Sequence, residues 1–215
     1  MEKLHLNILD QERKKIFQKL SIFREIGYLS GGTALALHLG HRVSYDFDIF
    51  CAKEITKNFP SKIQKEMYVK EVLVNNADEF TFFTEHNIKI SFIFYPFDLK
   101  KYIVYSSGLP LQIISPFGVA LTKAYAMNRR NAWRDYVDLY FVMKNGIASL
   151  ADIIEKSKEV YGELFNEKLF LSQLVYTEDI SQAEINGTEM IEKASLEEIA
   201  TFFKKEIEFY LKDKI

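Results

Sequence analysis

Residues 28–50 read YLSGGTALALHLGHRVSYDFDIF: a strand, a glycine turn, a short helix, a loop and a second strand. Tyr28 and Leu29 enter as a strand. Ser30, Gly31 and Gly32 form a turn whose backbone can approach a ligand closely, because glycine carries no Cβ. Residues 33–39 read as a helix, with Gly40 as its stop. Asp46-Phe47-Asp48-Ile49-Phe50 alternates polar and apolar, as a half-buried strand does. Side chains at i and i+2 share a strand face, so Asp46 and Asp48 point one way and Phe47 and Ile49 the other.

Two carboxylates on one strand face repel unless something sits between them. Hard divalent cations such as Mg²⁺ take oxygen ligands, commonly one or two carboxylates completed by substrate phosphates. A glycine turn opening a helix offers free N–H groups and the positive end of a dipole to an anion. An isolated Asp-x-Asp is common on solvent-exposed strand faces. Here it follows Gly-Gly-Thr, a helix and Arg42-x-Ser44, and the combination suggests metal ligands and a phosphate cradle for a nucleoside triphosphate. Ser44 either bonds a phosphate or holds the loop. His38 and His41 do not read as a metal pair, since the helix between them ends at Gly40 and no Cys or His partner lies nearby.

The 215 residues suffice for one generous domain or two small ones. A net charge of −2 excludes a surface that is basic all over, but not a local basic groove for nucleic acid. The 18 Phe and 12 Tyr are expected to fill the core. One cysteine, Cys51, excludes an internal disulfide framework and fits a reducing cytoplasmic location. The first residues lack the apolar core of a signal peptide, and no apolar run approaches the roughly 18–20 residues of a membrane span.

Along the chain, the spacing of Ile16, Phe17, Leu20 and Phe23 predicts a helix over 9–26, capped by Gly27. Residues 56–68 read as a helix broken near Pro60. Strand-like runs follow at 69–74, 79–84 and 88–95, with a turn at His86-Asn87 and a short extended piece at 111–114. From Pro116 the character changes, and helices are expected at 119–127, 133–144, 150–161, 167–175 and 196–211. Lys212 and Lys214 mark a solvated helix end. The expectation is an α+β protein: an α/β core with a small mixed sheet over 1–115, then a helical region over 116–215.

A second constellation lies in residues 123–140, KAYAMNRRNAWRDYVDLY. Lys123, Arg129, Arg130 and Arg134 concentrate positive charge, and Asp135 and Asp138 lie one helical turn apart. Cations of this kind can offset a triphosphate and stabilise departing pyrophosphate. The same residues can equally form local ion pairs on a solvated helix.

GGTAL, followed by Arg42-x-Ser44-x-Asp46-hydrophobic-Asp48-hydrophobic-Phe50, resembles the signature of the AbiEii/AbiGii-type nucleotidyltransferase toxins of the polymerase-β-like superfamily. Lys123, Arg130, Arg134, Asp135, Asp138 and Leu139 resemble the family's downstream motif in order. The resemblance implies that Asp46, Asp48, Lys123 and Asp138 are the catalytic positions, with Asp46 and Asp48 holding Mg²⁺. It implies that Gly31, Gly32, Thr33, Arg42, Ser44 and Arg130 bind the nucleotide and its phosphates. Lys123 is then a phosphate ligand, and Asp138 orients it or the metal site. The activity implied is transfer of a nucleoside monophosphate from a nucleoside triphosphate to RNA, tRNA in particular. The setting implied is a toxin–antitoxin or abortive-infection pair with a cognate antitoxin. One departure stands out. Many members of the superfamily carry a third carboxylate on a later strand, as general base. In residues 88–93, IKISFI, Ser91 stands at that place. The alternatives are a small-molecule acceptor such as an antibiotic, or a nucleotide-binding module with weak catalysis.

Overall fold

The computed structural model describes residues 4–212, so Lys214 lies outside the described residues. The chain divides into two compact units, Met1–His38 with Ser44–Ser115 and Leu39–Val43 with Pro116–Ile215. The glycine–aspartate stretch is therefore interrupted, since its middle residues count with the helical unit.

The first unit is built on a mixed sheet, seven-stranded among the described residues, in the order β3-β4-β5-β2-β1-β7-β6. Helix α1 (Gln11–Lys19) starts at Asp10, whose side chain accepts from the Arg13 amide at 2.8 Å. A 3-10 turn over Leu20–Phe23 replaces the second half of the expected longer helix. Strand β1 (Gly27–Ser30) runs directly into α2 (Gly31–Leu39), with no separate turn between them. Gly31 makes the change of direction alone, at φ +67. Helix α2 buries Thr33 to Leu37 on every side, as a helix apolar all round must. It ends at Gly40, φ +67. Strand β2 (Phe47–Cys51) lies antiparallel to β1, and α3 (Phe59–Glu66) follows it. Pro60 sits in the first turn of α3, where its missing N–H costs nothing, so it opens that helix instead of breaking it.

Strands β3 (Glu71–Asn75), β4 (Glu79–Phe83) and β5 (Lys89–Phe94) form an antiparallel meander, and β5 joins β2 in parallel. Two short strands, β6 (Ile103–Val104) and β7 (Ile113–Ile114), complete the other edge. One sheet face is apolar. Phe47, Ile49, Phe80, Phe82, Ile90 and Phe92 are all at 0% exposure. Phe17 and Phe23 pack on Phe47 and Phe92 at ring distances of 6.3 and 5.0 Å, and Phe59 of α3 reaches Phe92 at 5.0 Å. The acidic residues are left to the opposite face.

The second unit is helical: α4 (Pro116–Met127), α5 (Trp133–Lys144), α6 (Leu150–Tyr161), α7 (Glu167–Val175), α8 (Gln182–Asn186) and α9 (Leu196–Lys212). Helix α4 packs against α5, α6 and α7, and α9 against α5, α6 and α7. Helix α5 is enclosed along nearly its whole length, so its acidic side is buried along with its apolar one. Residues 39–43 join this unit through a bridge between Arg42 and Met190, with the Val43 amide bonded to the Glu189 carbonyl at 2.8 Å.

Gly27 is not a helix cap but the first residue of β1, opposite Cys51. A Cβ there would run into the backbone carbonyl of Phe50 and touch the Ile49 side chain. Gly27→Ala is therefore expected to cost about 1–3 kcal/mol through overpacking, read as a lower urea midpoint at unchanged m-value.

Candidate active site

Sheet register assembles the first group of residues. Asp48 on β2 stands beside Ser30 on β1 and Ser91 on β5. Ser91 in turn opposes Thr81 on β4. Paired residues on neighbouring strands share a face, so Ser30, Asp48, Ser91 and Thr81 form one polar row across four strands. Asp46 lies just before β2, and Lys89, two residues before Ser91, places its Nζ 3.1 Å from Asp46 Oδ2. Asp46 and Asp48 thus face the same side of the sheet, as the alternation predicts. Both are half-buried, while Ser30 and Ser91 are enclosed.

The start of α2 meets this row. A Cβ at Gly31 would lie 2.5 Å from Asp48 Oδ2, and the positive φ disfavours any L side chain there. The Asp48 carboxylate consequently rests against the first residue of a helix, where the dipole favours negative charge. Thr33 ties the approach to β2 in place: its hydroxyl bonds the Asp46 carbonyl, and Thr33 Oγ1 lies 2.7 Å from Ser44 Oγ. Of the two sequence readings of Ser44, the bond present is the one that holds the loop.

The residues here suit a divalent cation of the Mg²⁺ kind. Two carboxylates face one side, Lys89 supplies positive charge where a metal would, and the buried Ser30 hydroxyl beside Asp48 has no hydrogen-bond partner. Among the described residues no group of three or more His, Cys, Asp or Glu could hold a metal. An ion at Asp46 and Asp48 would therefore complete its shell with water and substrate oxygens, the usual habit of Mg²⁺.

The second group lies in the helical unit and is a buried ion network. Arg42 grips Asp138 through Nε at 2.7 Å and Nη2 at 3.0 Å. His41 Nε2 lies 2.9 Å from Asp138 Oδ1, and Lys123 Nζ lies 2.9 Å from Asp138 Oδ2. Lys123 also bonds Asp135 at 2.7 Å, and Arg130 closes on Asp135 from the solvent side through Nε at 2.9 Å. Asp135 and Asp138 are at 0% exposure, Arg42 at 2% and Lys123 at 7%. Arg130 is the open member, its side chain 60% exposed. Arg134 is exposed.

Protonation follows from this enclosure. Burial alone would raise the pKa of Asp138, but the charges of Arg42 and Lys123 and the His41 bond hold it well below the usual carboxylate range. Burial likewise opposes ionisation of Asp135, and Lys123 and Arg130 overrule it. Burial would lower Lys123, yet Asp135 and Asp138 raise it. His41 goes the other way: burial lowers its pKa, and the Asp138 bond only partly offsets this. His41 is therefore neutral, donating from Nε2 to Asp138, with a buried Nδ1 that has no partner.

The structure thus brings Asp46, Asp48, Gly31, Gly32, Thr33 and Ser44 together in the first unit, and Lys123, Asp138, Arg42 and Arg130 together in the second. Ser30, Lys89 and His41 were not singled out as site residues from sequence. Ser30 and Lys89 could have been found, because they sit on the acidic side of strands whose alternation was legible. His41 gave no such signal.

Comparison with known proteins places the chain. The family described as the nucleotidyl transferase AbiEii toxin of type IV toxin–antitoxin systems matches residues 16–213, and the chain belongs to it. An uncharacterised protein of Aquifex aeolicus strain VF5, aq_aa25, is 30% identical over 213 residues, covering 95% of this chain and 98% of that protein. The crystal structure of JHP933 from Helicobacter pylori matches with a TM-score of 0.57 at 19% identity, over 98% of this chain and 94% of that one. MenT4, a nucleotidyltransferase toxin of Mycobacterium tuberculosis H37Rv, matches with a TM-score of 0.57 at 14% identity, over 91% of this chain and 80% of that one. At these identities the two structures show a shared fold.

Two outcomes follow from the ion network. Lys123→Ala leaves two buried carboxylates short of a cation and is expected to cost about 3–5 kcal/mol, measured by urea unfolding at neutral pH. The second outcome concerns acid. His41 has a lowered folded pKa, so its contribution to stability is complete above its ordinary value of 6.5 and is lost as pH falls below that. Asp135 and Asp138 lose theirs only below the ordinary carboxylate value of 3.8. Melting temperature should therefore already decline between about pH 6.5 and 5, and His41→Gln, which keeps a donor toward Asp138, should flatten that decline.

Proposed function

We propose that the protein transfers a nucleoside monophosphate from a nucleoside triphosphate to a hydroxyl of RNA, tRNA included, as the toxin of a toxin–antitoxin or abortive-infection pair. The observation that carries this is the seating of the Asp48 carboxylate against Gly31, at the start of a helix, with Asp46 beside it on one sheet face. That arrangement supplies two metal-ligating carboxylates and an anion-binding helix start in one place.

In this reading Gly31 and Gly32 present backbone N–H groups to phosphate oxygens, and Thr33 and Ser44 fix the loop that aims Asp46. Asp46 and Asp48 would hold Mg²⁺, at the place where Lys89 now supplies positive charge to Asp46. Bound there, Mg²⁺ would neutralise triphosphate charge and polarise the α-phosphate. Lys123, Arg130 and Asp138 carry the family's second motif: Lys123 supplies its phosphate-binding charge, and Asp138 orients Lys123. Membership of a toxin–antitoxin family supports a cognate antitoxin as partner. Among the described residues no helix is long and apolar enough to cross a membrane, and a cytoplasmic site of action fits that.

Ser91 beside Asp48 favours a second reading, a module that binds nucleotide but transfers it poorly, because serine is a weak base and a weak metal ligand. One pair of measurements separates the two. Mg²⁺ with a nucleoside triphosphate at 100 times its Kd should stabilise the protein by about 2.7 kcal/mol. Asp48→Asn should abolish that shift. The same substitution should lower transfer to RNA by about 10³-fold, roughly 4 kcal/mol of barrier. Binding without transfer in the wild type favours the module. Undiminished transfer in Asp48→Asn removes Asp48, and the metal site built on it, from the assignment.

A further inference from the structure

Ser91 can pass a proton on but cannot hold a second one at neutral pH, so a reaction at Asp48 needs an acceptor elsewhere. The same sheet face offers one. Thr81 stands directly across from Ser91 in the sheet register, and cross-strand hydroxyl pairs of this kind can exchange a hydrogen bond when their rotamers turn toward each other. The Thr81 hydroxyl donates to Glu79 Oε1 at 2.5 Å, the two residues sharing a face as i and i+2. Ser91 and Thr81 are each 3% exposed, which keeps bulk water from breaking in between them. Glu79 is only half-buried, so it can return a proton to solvent. Among the described residues of β4 and β5 it is also the one carboxylate.

We propose that Glu79 is the terminal proton acceptor for the attacking hydroxyl, reached through Ser91 and Thr81. The proposal rests on the transfer reaction above and supplies the base which that reaction lacks. The acceptor oxygen forms a bond to the α-phosphorus as the bond from that phosphorus to the bridging oxygen breaks, and the electron pair leaves with pyrophosphate. The acceptor's proton moves to Ser91 Oγ, the Ser91 proton to Thr81 Oγ1, and the Thr81 proton to the Glu79 carboxylate. Each hydroxyl ends with one proton, and Glu79 ends as the neutral acid. Ser91 touches the reacting hydroxyl and is the catalytic residue of the three. Thr81 and Glu79 act through it as positioning residues.

The test is steady-state transfer to RNA by the full chain carrying Glu79→Gln, Thr81→Val or Thr81→Ser. Glu79→Gln keeps a hydrogen-bonding group but cannot take the proton, and Thr81→Val keeps the shape but cuts the relay. Each should lower kcat by about 10²-fold, the lower end of general-base help, with KM for the nucleotide unchanged. Thr81→Ser should recover most of the loss, because it restores a hydroxyl. The double variant Glu79→Gln/Thr81→Val should be no slower than either single, since both break one path. Wild-type kcat in Glu79→Gln, equal losses in Thr81→Val and Thr81→Ser, or losses that multiply in the double variant would each overturn the relay alone. A wild type that transfers no nucleotide at all would overturn the proposed function and the relay with it.

Discussion

A carboxylate pressed against the first residue of a helix constrains everything around it. Asp48 Oδ2 occupies the space that a Cβ at position 31 would need. Only a glycine tolerates both that contact and the positive φ that lets β1 pass directly into α2. The antiparallel register of β1 on β2 must place Ser30 opposite Asp48, and a slip of one residue would turn Asp48 into the aromatic core. The phenylalanines on the far face enforce that register: Phe47, Phe80, Phe82 and Phe92 can be buried only if Asp48, Ser91 and Thr81 face away. Core packing on one face and site assembly on the other are thus one constraint.

The helical unit solves a different problem, that of burying charge. Asp138 has no exposure, and a lone ionised carboxylate there would be strongly unfavourable. Arg42, Lys123 and His41 surround it, and Asp135 with Arg130 continues the network outward. Such a network gives modest net stability, because desolvation offsets most of the attraction, but it tolerates the loss of no partner. Arg42 and His41 belong to residues 39–43, so through them Asp138 ties that short segment into the helical unit.

Much of this was legible in the sequence because it is local. The alternation around Asp46 and Asp48 gave their shared face, and the helices at 133–144, 150–161 and 167–175 follow from spacing and end signals. What escaped depends on contacts between distant residues or on elements too short to show a period. Gly27 reads as a cap but is set by the approach of the Phe50 carbonyl. Helix α8 carries a capping box, Ser181 with Glu184, yet spans too few residues for apolar spacing to register. The burial of Lys123, Asp135 and Asp138 was beyond reach, because a helix with a charged side looks solvated until its neighbours are known. Ser91 lies beside Asp48 in the β2–β5 register, whereas Thr81 and Glu79 become its neighbours only through the β4–β5 register.

If the groups around Asp48 activate the α-phosphate of a nucleotide, the identity of the phosphate that moves reveals it. The wild-type protein would be incubated with Mg²⁺, total RNA and each nucleoside triphosphate, labelled at either the α- or the γ-phosphate. Label is expected in RNA from the α-position only, with unlabelled RNA in the γ series. Label arriving from the γ-position would show phosphoryl transfer, and no label from either would show that the site binds without transferring. Either result contradicts the account.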